Sequence, residues 1–176
     1  MDDVSAADAP GQPPVPPRSR VPVLAGIAAL VLAADVATKV LGVARLEGRE
    51  PIELLGGAVY MVLVRNPGAA FSLATGYTWV LSLIAIGVVV VIVRIARRLR
   101  STGWAVALGL VLGGALGNLA DRIFRSPGPL RGHVVDTVSL FAPDGSVWPV
   151  FNLADSAIVA GAVSMVLFSL LPGGRR

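Results

Sequence analysis

Apolar residues fall into four long runs separated by polar or glycine-rich stretches. The first run is Val21–Val43, the second Tyr77–Val93 continuing into Ile95-Ala96, and the third Trp104–Ala120. The fourth starts near Phe151 and ends at Leu171, where Pro172-Gly173-Gly174 stops it. A helix needs ~20 apolar residues to cross the hydrocarbon core of a bilayer, so each run predicts a membrane-spanning helix. Between the first two runs lies a connection too long for a simple loop. In it Ile52-Glu53-Leu54-Leu55 and Ala58–Val64 flank Gly56-Gly57, which predicts a β-hairpin lying on the membrane surface. The predicted fold is therefore membrane α-helical: four transmembrane helices with a small β-rich segment, residues 44–76, between the first two.

Composition sharpens this picture. Of 176 residues, 55% are hydrophobic and 15% charged, whereas soluble domains run at about 25% charged. The chain has room for one membrane domain, residues 21–172. Residues 1–20 carry five of the thirteen prolines and are expected to form a disordered tail, with a second short tail at 173–176. The net charge of +4 could point to nucleic acid, but no basic helix interleaved with aromatics is present, and in a membrane protein arginines report topology and contact with anionic lipid. The Arg94, Arg97, Arg98, Arg100 cluster between the second and third helices predicts a cytoplasmic loop. Both termini then lie in the cytoplasm, and connections 44–76 and 121–150 face outward. No cysteine and one histidine, His133, exclude cysteine nucleophiles, thiolate metal sites and two-histidine zinc motifs, so no metal or cofactor is expected.

Polar residues inside apolar helices are costly and mark partners or function. Here they gather toward the outer helix ends. Asp35 and Lys39 share one face of the first helix, either as a self-neutralising pair or as a buried pair that positions other groups. Asn66-Pro67-Gly68-Ala69-Ala70-Phe71-Ser72 reads locally as a turn. Gly117-Asn118-Leu119-Ala120-Asp121-Arg122 closes the third helix, with Arg122 able to reach a neighbouring or a more distant carboxylate. Val134-Val135-Asp136 sits in the second outer connection, and Phe151-Asn152-Leu153-Ala154-Asp155 opens the fourth helix. Alone, Asp136 is a loop acid and Asp155 a helix cap favoured by the dipole. Brought together, two carboxyls share one proton and can act as base on a water and acid on a carbonyl oxygen. Two other readings stay open. Lys39 and Ser72 fit a serine–lysine hydrolase, and intramembrane Asp and Lys fit a small proton-coupled carrier or accessory subunit.

Taken in order, Asp35-x-x-x-Lys39, Asn66-x-Gly68-Ala69-Ala70-Phe71-Ser72, Gly117-Asn118-x-x-Asp121-Arg122, Val134-Val135-Asp136 and Phe151-Asn152-x-Ala154-Asp155 resemble the motifs of lipoprotein signal peptidase, or signal peptidase II. The resemblance implies a multi-pass enzyme of the bacterial inner membrane with an extracytoplasmic β-cradle and its active site at the outer face. Such enzymes are aspartic endopeptidases that remove signal peptides from diacylglyceryl-modified prolipoproteins, before the lipidated cysteine, and are inhibited by globomycin. It implies that Asp136 and Asp155 are catalytic, and that Asn66, Asn118, Arg122 and Asn152 line the substrate site or hold the carboxylates. Asp35, Lys39 and Asp121 then have supporting roles, with Gly68, Ala69, Val134 and Ala154 as neighbouring motif positions. The chain departs from the family in Thr137, where Phe is common after the V-V-D motif, and in a long Phe124–Gly132 stretch bearing Pro127, Gly128 and Pro129. The expected partners are prolipoproteins and membrane lipid, and the expected state is a monomer.

Overall fold

The computed structural model describes residues 19–68 and 78–170. Four helices are long and apolar enough to cross a membrane: α1 (Val21–Leu46), α2 (Thr78–Ala96), α3 (Thr102–Phe124) and α4 (Leu153–Leu170). At 18 to 26 residues and ~1.5 Å per residue, each approaches or exceeds the ~30 Å of a hydrocarbon core. α3 is the central helix: 67% of its apolar span is buried, against 17% for each of the others. Its small residues allow this. Gly109 and Gly113 lie against α1, and Gly114 against Ala154 of α4, with no room for a Cβ at any of the three. Lipid is as apolar as leucine, so helices in it associate through such close approach rather than by hydrophobic burial.

A three-stranded antiparallel sheet closes one end of the bundle, in the order β1 (Ile52–Leu54), β2 (Val59–Asn66), β3 (Val134–Leu140). The predicted hairpin is β1–β2, turning through a 3₁₀ segment at Leu55–Gly57. β2 pairs with β3 so that Val64 faces Asp136 and Asn66 faces Val134, with an irregularity between Met61 and Val64.

Three expectations are corrected. The third helix, expected to close at Arg122, runs on to Phe124, and Arg125 just beyond it bonds back to Asp121 through side chain and backbone. The fourth helix begins at Leu153 rather than Phe151, whose backbone instead bridges Val138. Most consequential, Asp136 is not a loop acid: it lies within β3, where β-branched Val134, Val135, Thr137 and Val138 suit a strand. Ala69, Phe71 and Ser72, and the two tails, lie outside the described residues apart from Ser19 and Arg20.

Candidate active site

At the sheet end, α1 contributes Asp35 and Lys39, 0% and 1% exposed. A lysine so deep needs acceptors for all three N–H groups. Lys39 Nζ lies 2.8 Å from Asp35 Oδ2, 3.0 Å from Asp121 Oδ2 and 3.0 Å from Asn118 Oδ1. The pair is thus both self-neutralising and positioning. Asp35 Oδ1 reaches further and accepts the Ala154 N–H at 3.0 Å, one of the first N–H groups of α4 that has no partner within its own helix. The Asp35 carboxylate fills the space where a side chain at residue 117 would begin, which explains Gly117.

Asp121 and Arg122 do not pair with each other. Asp121 binds Arg125 through Oδ1, while its Oδ2 accepts Val135 N–H at 3.1 Å, next to Asp136 in the chain. Arg122 donates Nη2 to Gly68 O at 3.0 Å, and its buried Nη1 has no partner among the described residues. Arg125 is a supporting residue that the motifs did not single out. Its i,i+4 spacing from Asp121 was the available signal.

The start of α4 is a reciprocal cap. Asp155 N–H donates to Asn152 Oδ1 at 3.0 Å, and Asn152 N–H to Asp155 Oδ2 at 3.2 Å. This is a capping box with Asn and Asp in place of Ser and Glu. The cap expected of Asp155 is therefore present, and it fixes the carboxylate that also faces the site. Asn118 Nδ2 donates to the other oxygen, Asp155 Oδ1, at 2.8 Å.

Asp136 is 2% exposed. Asn152 Nδ2 donates to its Oδ1 at 2.7 Å and Asn66 Nδ2 to its Oδ2 at 3.0 Å. Asn66 is itself oriented by Gly68 N–H, which donates to its Oδ1 at 2.9 Å. Burial pushes the Asp136 carboxyl up to about 6; the Asn66 hydrogen bond opposes this and the charge of Asp155 adds to it. Asn152 thus touches both carboxylates, Asp155 with its backbone and Asp136 with its amide.

The two carboxylates line one cavity of about 640 Å³ together with Asn66, Asn118, Arg122 and Val134. Trp148, Val150, Phe151 and Val159 form its apolar walls. Val159 is 61% exposed on α4, so the cavity opens along a helix flank rather than only at the sheet. Of the sequence-singled residues, Asp35, Lys39 and Asp121 sit behind this wall, while Ala154 is buried beside Asp35. Trp148 was missed as a wall residue, since a lone aromatic in a loop carries no pattern, and Phe151 was seen in its motif but given no role.

The serine–lysine alternative meets Lys39 with all three donors occupied by Asp35, Asp121 and Asn118. Ser72 lies outside the described residues.

Comparison with known proteins agrees with these observations. A family model described as signal peptidase (SPase) II matches residues 27–171. The lipoprotein signal peptidase of Rhodococcus jostii (strain RHA1) is 54% identical over 178 residues, covering 99% of this chain and 86% of that protein. That of Mycolicibacterium smegmatis is 55% identical over 165 residues, covering 93% and 68%. A structure of a bacterial membrane enzyme solved by the in meso method has a TM-score of 0.71 at 26% identity, covering 85% of this chain and 88% of that one.

Proposed function

The chain belongs to the signal peptidase II family and is a multi-span membrane peptidase, and from that premise we propose that Asp136 and Asp155 are its catalytic pair. The observation that carries this reading is Asn152, which bonds both carboxylates at the wall of one cavity. The substrate is a prolipoprotein whose cysteine carries diacylglycerol, and the bond cut is the one before that cysteine.

In the proposed mechanism the pair holds one proton between its members. One carboxylate takes a proton from a water whose oxygen attacks the scissile carbonyl. The other carboxyl gives its proton to the carbonyl oxygen. Collapse of the tetrahedral carbon breaks the C–N bond: the amine of the lipidated cysteine takes a proton from one member of the pair, the other recovers the proton of one of the two hydroxyls, and the pair again holds one proton. Asn66 and Asn118 hold the carboxylates in place, and Arg122, whose Nη1 has no partner among the described residues, supplies a donor to a substrate carbonyl. The opening past Val159 admits a signal peptide that stays in the membrane. The arginine cluster after α2 supports cytoplasmic termini and a site at the outer face.

The test is cleavage of a diacylglyceryl-modified prolipoprotein by the purified protein in detergent, with and without globomycin. The wild type cleaves before the lipidated cysteine and globomycin blocks it. Asp136→Asn and Asp155→Asn each lower the rate by about 10³-fold or more while the protein still folds. Substantial turnover by either variant ends the two-aspartate reading. No proteolysis by folded wild type, with pH-driven flux in liposomes instead, would favour a carrier.

A further inference from the structure

A second cavity, about 530 Å³, lies on the other face of the sheet and shares with the site above only Arg125, which holds Asp121. It is lined by Arg65, Phe124, Arg125, Ser126, Pro127 and His133. It gathers two features that the peptidase motifs leave unexplained, the long stretch after α3 and the only histidine. Arg65 follows Val64 and precedes Asn66 in β2. Alternation along a strand turns it away from the side on which Asn66 meets Asp136.

The lining is chemically one-sided. It holds two guanidinium groups and an imidazole, and no acid among the described residues. The carboxylates that hold the arginines are not among the lining residues. Glu47, just past α1, takes Arg65 Nη2 at 2.5 Å, and Asp121 takes Arg125 Nε. Each acid occupies one edge of its guanidinium and fixes its direction. The side chains are still 43% and 27% exposed. Two of the last carbonyls of α3, which would repel an anion, are satisfied: Asp121 O by Arg125 N–H at 2.9 Å and Arg122 O by Gly132 N–H at 3.0 Å. Paired arginines match the geometry of a phosphate.

The source of the phosphate follows from Phe124. It is the last residue of a membrane helix, it stands on the rim of the cavity, and it is 84% exposed. Its ring is wholly apolar, so at the exposed end of a membrane helix it favours acyl chains over water. A cavity of this size suits a small organic headgroup. We propose that this cavity binds the phosphodiester headgroup of an anionic membrane phospholipid, with Arg65, Arg125 and His133 around the phosphate and Phe124 against the acyl chain. This site is independent of the catalytic pair and of which way the chain is oriented.

The test is binding to the full chain in a neutral detergent, read by calorimetry and native mass spectrometry. The probes are dioctanoyl phosphatidylglycerol, dioctanoylglycerol and inorganic phosphate. The phospholipid binds, and the other two bind at least about tenfold more weakly. The double variant Arg65→Gln/His133→Gln lowers phospholipid affinity about tenfold or more yet keeps wild-type cleavage of prolipoprotein, because the exposed Arg65–Glu47 pair contributes little to folding. Phe124→Ser weakens phospholipid binding and leaves phosphate binding unchanged. Equal binding of dioctanoylglycerol, inorganic phosphate as tight as the phospholipid, or wild-type affinity in the double variant would each overturn the proposal. Since cleavage is measured separately, a failed lipid site is distinguishable from a failed peptidase reading.

Discussion

At the end of the bundle away from the sheet, Leu24 and Ala28 of α1 meet Leu108 and Leu112 of α3, with Leu99 and Trp104 beneath them. At the sheet end the same two helices meet through Asp35, Lys39, Asn118 and Asp121. In water the first contact would be driven by burial of apolar surface. In lipid that drive is absent, and shape alone recommends one apolar packing over another. The polar end has no such freedom. Each buried carboxylate or ammonium finds its partners in one arrangement only, so that end sets helix register and the apolar end follows it. The site is built where register is most strictly set: Asp136 on a strand and Asp155 on a helix are bonded by groups that themselves belong to this network.

Lys39→Met is the harshest way to test this contrast. It leaves Asp35 and Asp121 buried with no cation between them, and breaking a buried ion pair in this way costs about 3–5 kcal/mol. Thermal unfolding in detergent should show the loss, and adding Asp35→Asn should recover part of it. If Lys39→Met unfolds within about 1 kcal/mol of wild type, the polar end is no more demanding than the apolar one.

A second test uses pH. Burial raises the Asp136 carboxyl from its ordinary value near 3.8 to about 6. A carboxyl raised on folding adds stability that is present in full below its unfolded value, near 3.8, and lost as pH rises through about 6. Relative to Asp136→Asn, the wild type should therefore lose on the order of 3 kcal/mol between pH 4 and 7. Melting curves of the two proteins across that range settle it. If they run parallel, the carboxylate is better solvated than its 2% exposure implies.

These tests also separate what was legible in the sequence from what was not. The four spans were legible because lipid demands long apolar runs whatever the tertiary contacts. Asp35 and Lys39 were legible as a pair because one helix brings them together. That Lys39 also takes Asn118 and Asp121 was not, because those contacts depend on how α1 lies against α3. β3 was missed although Val134-Val135-Asp136-Thr137-Val138 is rich in β-branched residues. Its Val135, Thr137 and Ser139 are as buried as Val134 and Asp136, so the strand lacks the alternation that betrays a half-buried one. The cap at α4 was half legible: the acid was expected to cap, but its exchange of hydrogen bonds with Asn152 follows only once the helix is known to start at Leu153.

The smallest effect is expected at the apolar end, and there it divides by position rather than by chemistry. Gly113 and Gly26 are both helical glycines. A Cβ at Gly113 would stand 2.6 Å from Val31 Cβ and 2.7 Å from the backbone oxygen of Ala28, neither of which is the tip of a flexible side chain. At Gly26 it would meet nothing within 4 Å. Alanine favours a helix over glycine by about 1 kcal/mol, so Gly26→Ala should be neutral or slightly stabilising. Gly113→Ala gains the same propensity but must push α1 from α3, at about 1–3 kcal/mol for overpacking. The net loss is therefore small in the melting transition. It should be visible in cleavage as well, because moving α1 moves Lys39 from Asn118 and so loosens Asp155. A Gly113→Ala protein that melts lower yet cleaves at the wild-type rate would mean that the polar end holds its register without help from the packing below it.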